Sequence, residues 1–194
     1  MTALRTAHDA HTAAAPLPAA SAGLRRLYLI RFGFAAVWAA LLFATASALN
    51  PLNMTLLVLY PLFDLGAALV DLRGAREGRG AAVGLYANVV LSAATAVGLA
   101  FAVTSGIPAV LRVWGLWAVT AGAVQLLVGA ARRRLGGQWP MIASGAISTF
   151  AGTSFVVQAG SGNASLSNLA GYAFLGGVFF LGSALRLKRA PQQA

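Results

Sequence analysis

Six long apolar runs fill almost everything after residue 26, and basic residues close every second one. Arg73, Arg76 and Arg79 follow the second run, Arg132, Arg133 and Arg134 the fourth, and Arg186, Lys188 and Arg189 the sixth. Arg5, Arg25, Arg26 and Arg31 stand before or at the start of the first. The connections near residues 49–53, 104–107 and 160–168 carry no charge. An apolar run needs about 20 residues to cross the hydrocarbon of a bilayer as a helix. Loops on the cytoplasmic side are the ones enriched in Lys and Arg. The pattern predicts an all-α membrane protein with six transmembrane helices and both termini cytoplasmic.

The composition agrees. The chain is 59% hydrophobic and 9% charged, with mean hydropathy +0.76, against roughly 25% charged residues in ordinary soluble domains. A water-soluble fold could not hide so much apolar surface. The net charge of +10 is topological: it gathers at one membrane face, where it meets anionic lipid. The expected partners are therefore the bilayer and anionic lipid at its cytoplasmic face, not nucleic acid. Assembly into a homo-oligomer stays open. Arg outnumbers Lys thirteen to one, beside abundant Ala and Gly, which points to a GC-rich bacterial genome and an inner-membrane location. With no Cys, neither a disulfide framework nor a thiolate metal site can form.

In chain order, residues 1–22 are rich in Ala, Thr and Pro and read as a disordered cytoplasmic tail. The six-helix domain covers 23–189, and 190–194 form a short cytoplasmic tail. The spans are expected near 27–48, 54–72, 81–103, 108–131, 139–158 and 169–187. Asn50-Pro51-Leu52-Asn53 reads as a tight turn between the first two. The second member of each pair carries an aromatic and then a glycine: Tyr60 and Gly66, Trp114 and Gly122, Tyr172 and Gly176. Every unit starts on the same side, so the six helices are expected as three parallel-repeated helical hairpins. Inverted repeats of the secondary-transporter kind run the other way.

Three stretches carry a resemblance. They are Leu29-Ile30-Arg31-Phe32-Gly33, Arg112-Val113-Trp114-Gly115-Leu116-Trp117 running on to Gly122-Ala123-Val124-Gln125, and Gln138-Trp139-Pro140-Met141 running on to Gly145. In these the chain resembles the HdeD-type acid-resistance membrane proteins over about residues 25–188. The resemblance implies three tandem two-helix repeats in a bacterial inner membrane and a part in stress or acid tolerance. It carries over no catalytic residues. Asp64 inside the second span departs from a simple apolar repeat.

Asp64 is the sharpest candidate. It lies about 10 residues into its span, on the order of 15 Å deep. A carboxylate facing lipid at that depth costs several kcal/mol. It must face the bundle, be protonated or find a partner, which makes it a candidate proton- or cation-responsive site. Pro61, three residues earlier, leaves the Leu57 carbonyl without its helical donor. Arg112 is the basic residue nearest the uncharged face, an interfacial anchor or an anion-attracting group at a pore mouth. A hairpin turning at residues 51–52 puts Arg31 opposite Asp71, so an ion pair near the cytoplasmic face is expected. Asn88 and Gln125 fall at similar depth in the second hairpin and are expected to hydrogen-bond. Gly84, Asn88, Ser92 and Ala96 share one face of the third span as a packing row.

No Ser/His/Asp set, metalloprotease helix, phosphate loop or dinucleotide fingerprint appears in the sequence. His8 and His11 sit in the tail without further ligands. The reading is a non-enzyme with no metal and no cofactor. Its alternative is a small proton- or ion-conducting channel or transporter using Asp64 and Arg112.

Overall fold

The computed structural model describes residues 18–74, 79–131 and 139–188. They form α1 (Pro18–Ala44), α2 (Pro51–Gly74), α3 (Arg79–Ala102), α4 (Ile107–Ala131), α5 (Trp139–Gln158) and α6 (Ser167–Lys188). Among the described residues there is no strand. Each helix holds a window of 20 to 25 residues with hydropathy 1.3 to 1.9, long and apolar enough to cross a membrane. Residues 1–17 of the expected tail and all of 190–194 lie outside the described residues, as do His8, His11, Arg76, Arg132, Arg133 and Arg134.

The helices start and stop for local reasons. Pro51 is not in a turn: it opens α2, where its missing N–H and fixed φ fit the first helical position. Asn50 and Asn53 cap that start reciprocally. The Asn50 N–H donates to Asn53 Oδ1 at 2.9 Å, and the Asn53 N–H donates to Asn50 Oδ1 at 3.0 Å, the geometry of a capping box. The Asn53 carboxamide, fully buried, also donates to the carbonyls of Thr45 and Ala48 at 2.8 and 2.6 Å. It thereby ties the end of α1 to the start of α2. Between α3 and α4 the chain reverses at Gly106, whose φ of 98° suits glycine.

The six helices close into a ring in chain order, each touching the next and α6 returning to α1. The contacts are very uneven. α4 with α5 and α1 with α6 pack most extensively, then α2 with α3. α1 touches α2 lightly, and α5 barely touches α6. The packing units are therefore α6–α1, α2–α3 and α4–α5, whereas the sequence repeat groups the helices as hairpins. Hydropathy could not show this, because these helices are apolar all round.

Glycine explains the tightest pair. Gly115, Gly122 and Gly129 recur every seven residues on α4, and Gly145 and Gly152 do so on α5. A Cβ at Gly122 would lie 2.7 Å from the Gly145 carbonyl oxygen, and one at Gly152 would lie 2.5 Å from that of Gly115. The two backbones touch. In lipid, where no hydrophobic force pulls helices together, such close approach supplies the packing energy. α1 and α6 approach less closely, at Gly177, whose added Cβ would sit 3.0 Å from that of Ala35.

The apolar core lies toward the end with uncharged connections and draws on all six helices, through Leu42, Leu57, Leu99, Leu111, Phe155 and Leu169. At its centre Trp38, Tyr60 and Trp114 pack with ring centroids 4.6 to 5.4 Å apart. Trp38 donates its indole N–H to the Leu56 carbonyl at 2.6 Å, beside the carbonyl that Pro61 leaves unpaired. Trp38 and Trp114 are thus core residues, while Trp139, 77% exposed, faces outward as an interfacial aromatic would.

Candidate functional site

Below that core, Asp64 of α2 gathers side chains from α1 and α3. Arg31 of α1 reaches it with Nη2 3.7 Å from Oδ1. From α3, Asn88 Nδ2 and Ser92 Oγ both donate to Oδ2, at 2.9 and 2.8 Å. Arg31 in turn lies over the ring of Phe180 on α6, with Cζ 4.8 Å from its centroid. The side chains of Arg31 and Asp64 are 11% and 20% exposed. One carboxylate therefore links α1, α2 and α3, and its cation leans on α6. A paired, hydrogen-bonded carboxylate is what low-dielectric surroundings require, because an unpaired charge there is costly.

Two expected pairs are corrected here. Arg31 makes its ion pair with Asp64, not Asp71. The expected register assumed a turn at residues 51–52, but α1 ends at Ala44 and α2 has begun by Pro51. The reversal comes earlier, which moves the partner of Arg31 about two turns back along α2. The stacking of Phe34 on Phe63, centroids 3.7 Å apart, follows the same register. Asn88 bonds Asp64 across the α2–α3 contact, and Gln125 is exposed on α4. The pair expected between them does not form, because Asn88 turns toward α2.

Arg112 is exposed one turn into α4, at the uncharged end, and takes no part in the Asp64 cluster. Arg73 and Arg186 are exposed at the opposite end. Ser92 was legible as a packing residue only. Its role as a carboxylate donor follows from its place one turn from Asn88 on the face that meets α2. A second polar join lies between α5 and α6, where the Tyr172 hydroxyl donates to Ser148 Oγ at 2.9 Å. Among the described residues no three His, Cys, Asp or Glu side chains come together as a metal site.

Two hollows in the bundle are lined by other residues than Asp64. One is an open apolar groove of about 560 Å³ between α3 and α4, lined by Val83, Tyr86, Val90 and Val124 among others. The other is a cavity of about 30 Å³ between α5 and α6, lined in part by Ser144, Ser148 and Tyr172.

Comparison with protein-family models, with curated proteins and with solved structures gives no match to this chain. What is established is a bundle of six helices able to span a membrane, with the half-buried Arg31–Asp64 cluster in its interior.

Proposed function

We propose that this is a non-enzymatic, multi-pass protein of a bacterial inner membrane, similar to the HdeD-type proteins and serving envelope or acid-stress tolerance, with both termini cytoplasmic. The observation that carries the reading is the Asp64 cluster: a carboxylate inside the bundle, paired with Arg31 and hydrogen-bonded by Asn88 and Ser92. Such a group is a structural element that acid can address. Protonation removes the charge that Arg31 answers. The orientation rests on the basic residues, since Arg73 and Arg186 flank the same end of the bundle. Conduction through Asp64 and Arg112 has less support, because these residues sit in separate parts of the fold.

Two measurements test the proposal. Cells lacking the protein should survive an acid challenge less well than cells that express it, with survival restored by the native chain. Purified protein in proteoliposomes should pass protons and monovalent ions no faster than empty vesicles. Equal acid survival with and without the protein overturns the stress reading. A flux that Asp64→Asn abolishes replaces it with conduction.

A further inference from the structure

Two sets of contacts draw α3 and α4 apart. Asn88 and Ser92 of α3 turn toward α2, where both donate to Asp64. α4 is held to α5 by the backbone approach of Gly122 to Gly145 and of Gly115 to Gly152. Near the uncharged end, where the chain passes from one helix to the other, α3 and α4 still meet closely. A Cβ at Gly98 would lie 3.1 Å from the Val113 side chain. Close to four turns back along α3, a Cβ at Gly84 would meet nothing within 4 Å. The helices therefore part toward the basic end, and the wedge between them is the open apolar groove of about 560 Å³.

The groove faces outward, since Val83, Tyr86 and Val90 in its wall are exposed. Val83 is also the first residue of the α3 segment able to span a membrane, Val83–Ala102, so the groove starts at the membrane boundary. From Val83 to Leu91 its wall runs about 12 Å inward at 1.5 Å per residue. That is most of the roughly 15 Å that one leaflet contributes to the hydrocarbon. The polar groups of the wall suit a lipid. Thr120 Oγ1 donates to the carbonyls of Leu116 and Trp117, so it offers an acyl chain no unmet donor. Tyr86 stands one turn inside Val83, at the level where tyrosines meet the interfacial part of a bilayer. The mouth lies where the sequence concentrates positive charge. Arg79 is the first residue of α3, Arg73 is exposed at the end of α2, and Arg132, Arg133 and Arg134 follow Ala131, the last residue of α4.

We infer that the α3–α4 groove binds one acyl chain of an anionic phospholipid from the leaflet at the basic end, with the headgroup at the positively charged mouth. The volume suits a single flexible chain, within the roughly 300–1,000 Å³ of small-ligand sites. Charge complementarity selects an anionic lipid over a zwitterionic one. This is a defined site, beyond the diffuse attraction that basic connections exert on a membrane surface. It rests on helix packing and charge and not on acid tolerance, so the two fail independently.

A fluorophore beside the groove tests it, since the chain has no Cys to compete for labelling. Leu127 and Val70 are both exposed, the first on α4 next to the groove and the second on α2 at a similar distance from the basic end. Leu127→Cys and Val70→Cys each carry bimane, in nanodiscs containing brominated phosphatidylglycerol or brominated phosphatidylcholine. Bromine quenches at contact, so the ratio of quenching by the two lipids reports the local preference for an anionic one. The ratio at Leu127→Cys should exceed that at Val70→Cys roughly fivefold, the effect of about one cation at a membrane surface. Ala87→Phe fills the groove and should lower the ratio at Leu127→Cys to that at Val70→Cys. Val90→Trp, at an exposed position of the same wall, gives this reading if Ala87→Phe impairs folding. Equal ratios at the two positions overturn the site, as does a high ratio that the folded, groove-filled protein retains. Protection of Leu127→Cys from both lipids, in particles that cross-link as dimers, overturns it in favour of a second copy.

Discussion

Gly122→Val and Gly152→Leu should each abolish the folded bundle. The reason is steric. A Cβ at Gly122 meets the Gly145 carbonyl oxygen and the Thr149 nitrogen, both at 2.7 Å, and one at Gly152 meets the Gly115 carbonyl oxygen at 2.5 Å. These obstacles are backbone, so no rotamer change relieves them. α4 and α5 would have to part along the most extensive contact in the protein. The cost should exceed about 4 kcal/mol, the range reserved for overpacking that a core cannot absorb. Size-exclusion profiles and thermal melts in detergent read the outcome. Gly33→Ala and Gly66→Ala are the controls, since a Cβ at either meets nothing within 4 Å. They should melt at or slightly above the native temperature, because alanine is the better helix former. A Gly122→Val protein that is monodisperse and melts like the native chain would show that the α4–α5 contact is wrong.

The second large effect concerns the ion pair. Asp64→Ala should destabilise the bundle by about 3–5 kcal/mol, since it leaves the buried Arg31 guanidinium without its counter-charge. Arg31→Met should cost a comparable amount through the stranded carboxylate. The double variant Arg31→Met/Asp64→Leu should recover most of the loss, because an apolar pair of similar volume strands no charge. The single effects should therefore be strongly non-additive. Unfolding in mixed micelles of rising denaturing-detergent fraction measures all four chains. Additive losses would mean that Arg31 and Asp64 do not depend on each other. Asp71→Ala serves as the comparison, since the expected Arg31–Asp71 pair predicts the same coupling there.

Much of the architecture is legible in the sequence. Six spans follow from hydropathy, because a bilayer demands about 20 apolar residues in helical form. Asp64 stands out for the same reason: a carboxylate in such a run must be answered by something. Which residue answers it was less legible. Pro51 is as good a helix opener as a turn residue, and reading it as a turn displaced the α1–α2 register enough to exchange Asp64 for Asp71. The ring pairing was hidden for a different cause. Helices that are apolar on every side carry no hydrophobic stripe to say which face meets a neighbour. The informative signal was instead the seven-residue recurrence of Gly115, Gly122 and Gly129 against Gly145 and Gly152, which marks backbone contact between helices that belong to different hairpins. The Tyr172–Ser148 bond joins the two helices of the third hairpin and has no trace in local sequence.

Closure of the ring by α1 against α6 underlies the Arg31 environment, and a disulfide tests it directly. The Cβ positions of Ala35 and Gly177 lie 3.0 Å apart, within a small shift of the roughly 3.8 Å a disulfide prefers. In the Cys-free chain, Ala35→Cys/Gly177→Cys should cross-link nearly completely under mild oxidation in native membranes. Within one molecule this gives a monomer of altered mobility that reductant restores. Failure to form it, in protein that remains folded and oxidisable, would contradict the ring and everything placed on it.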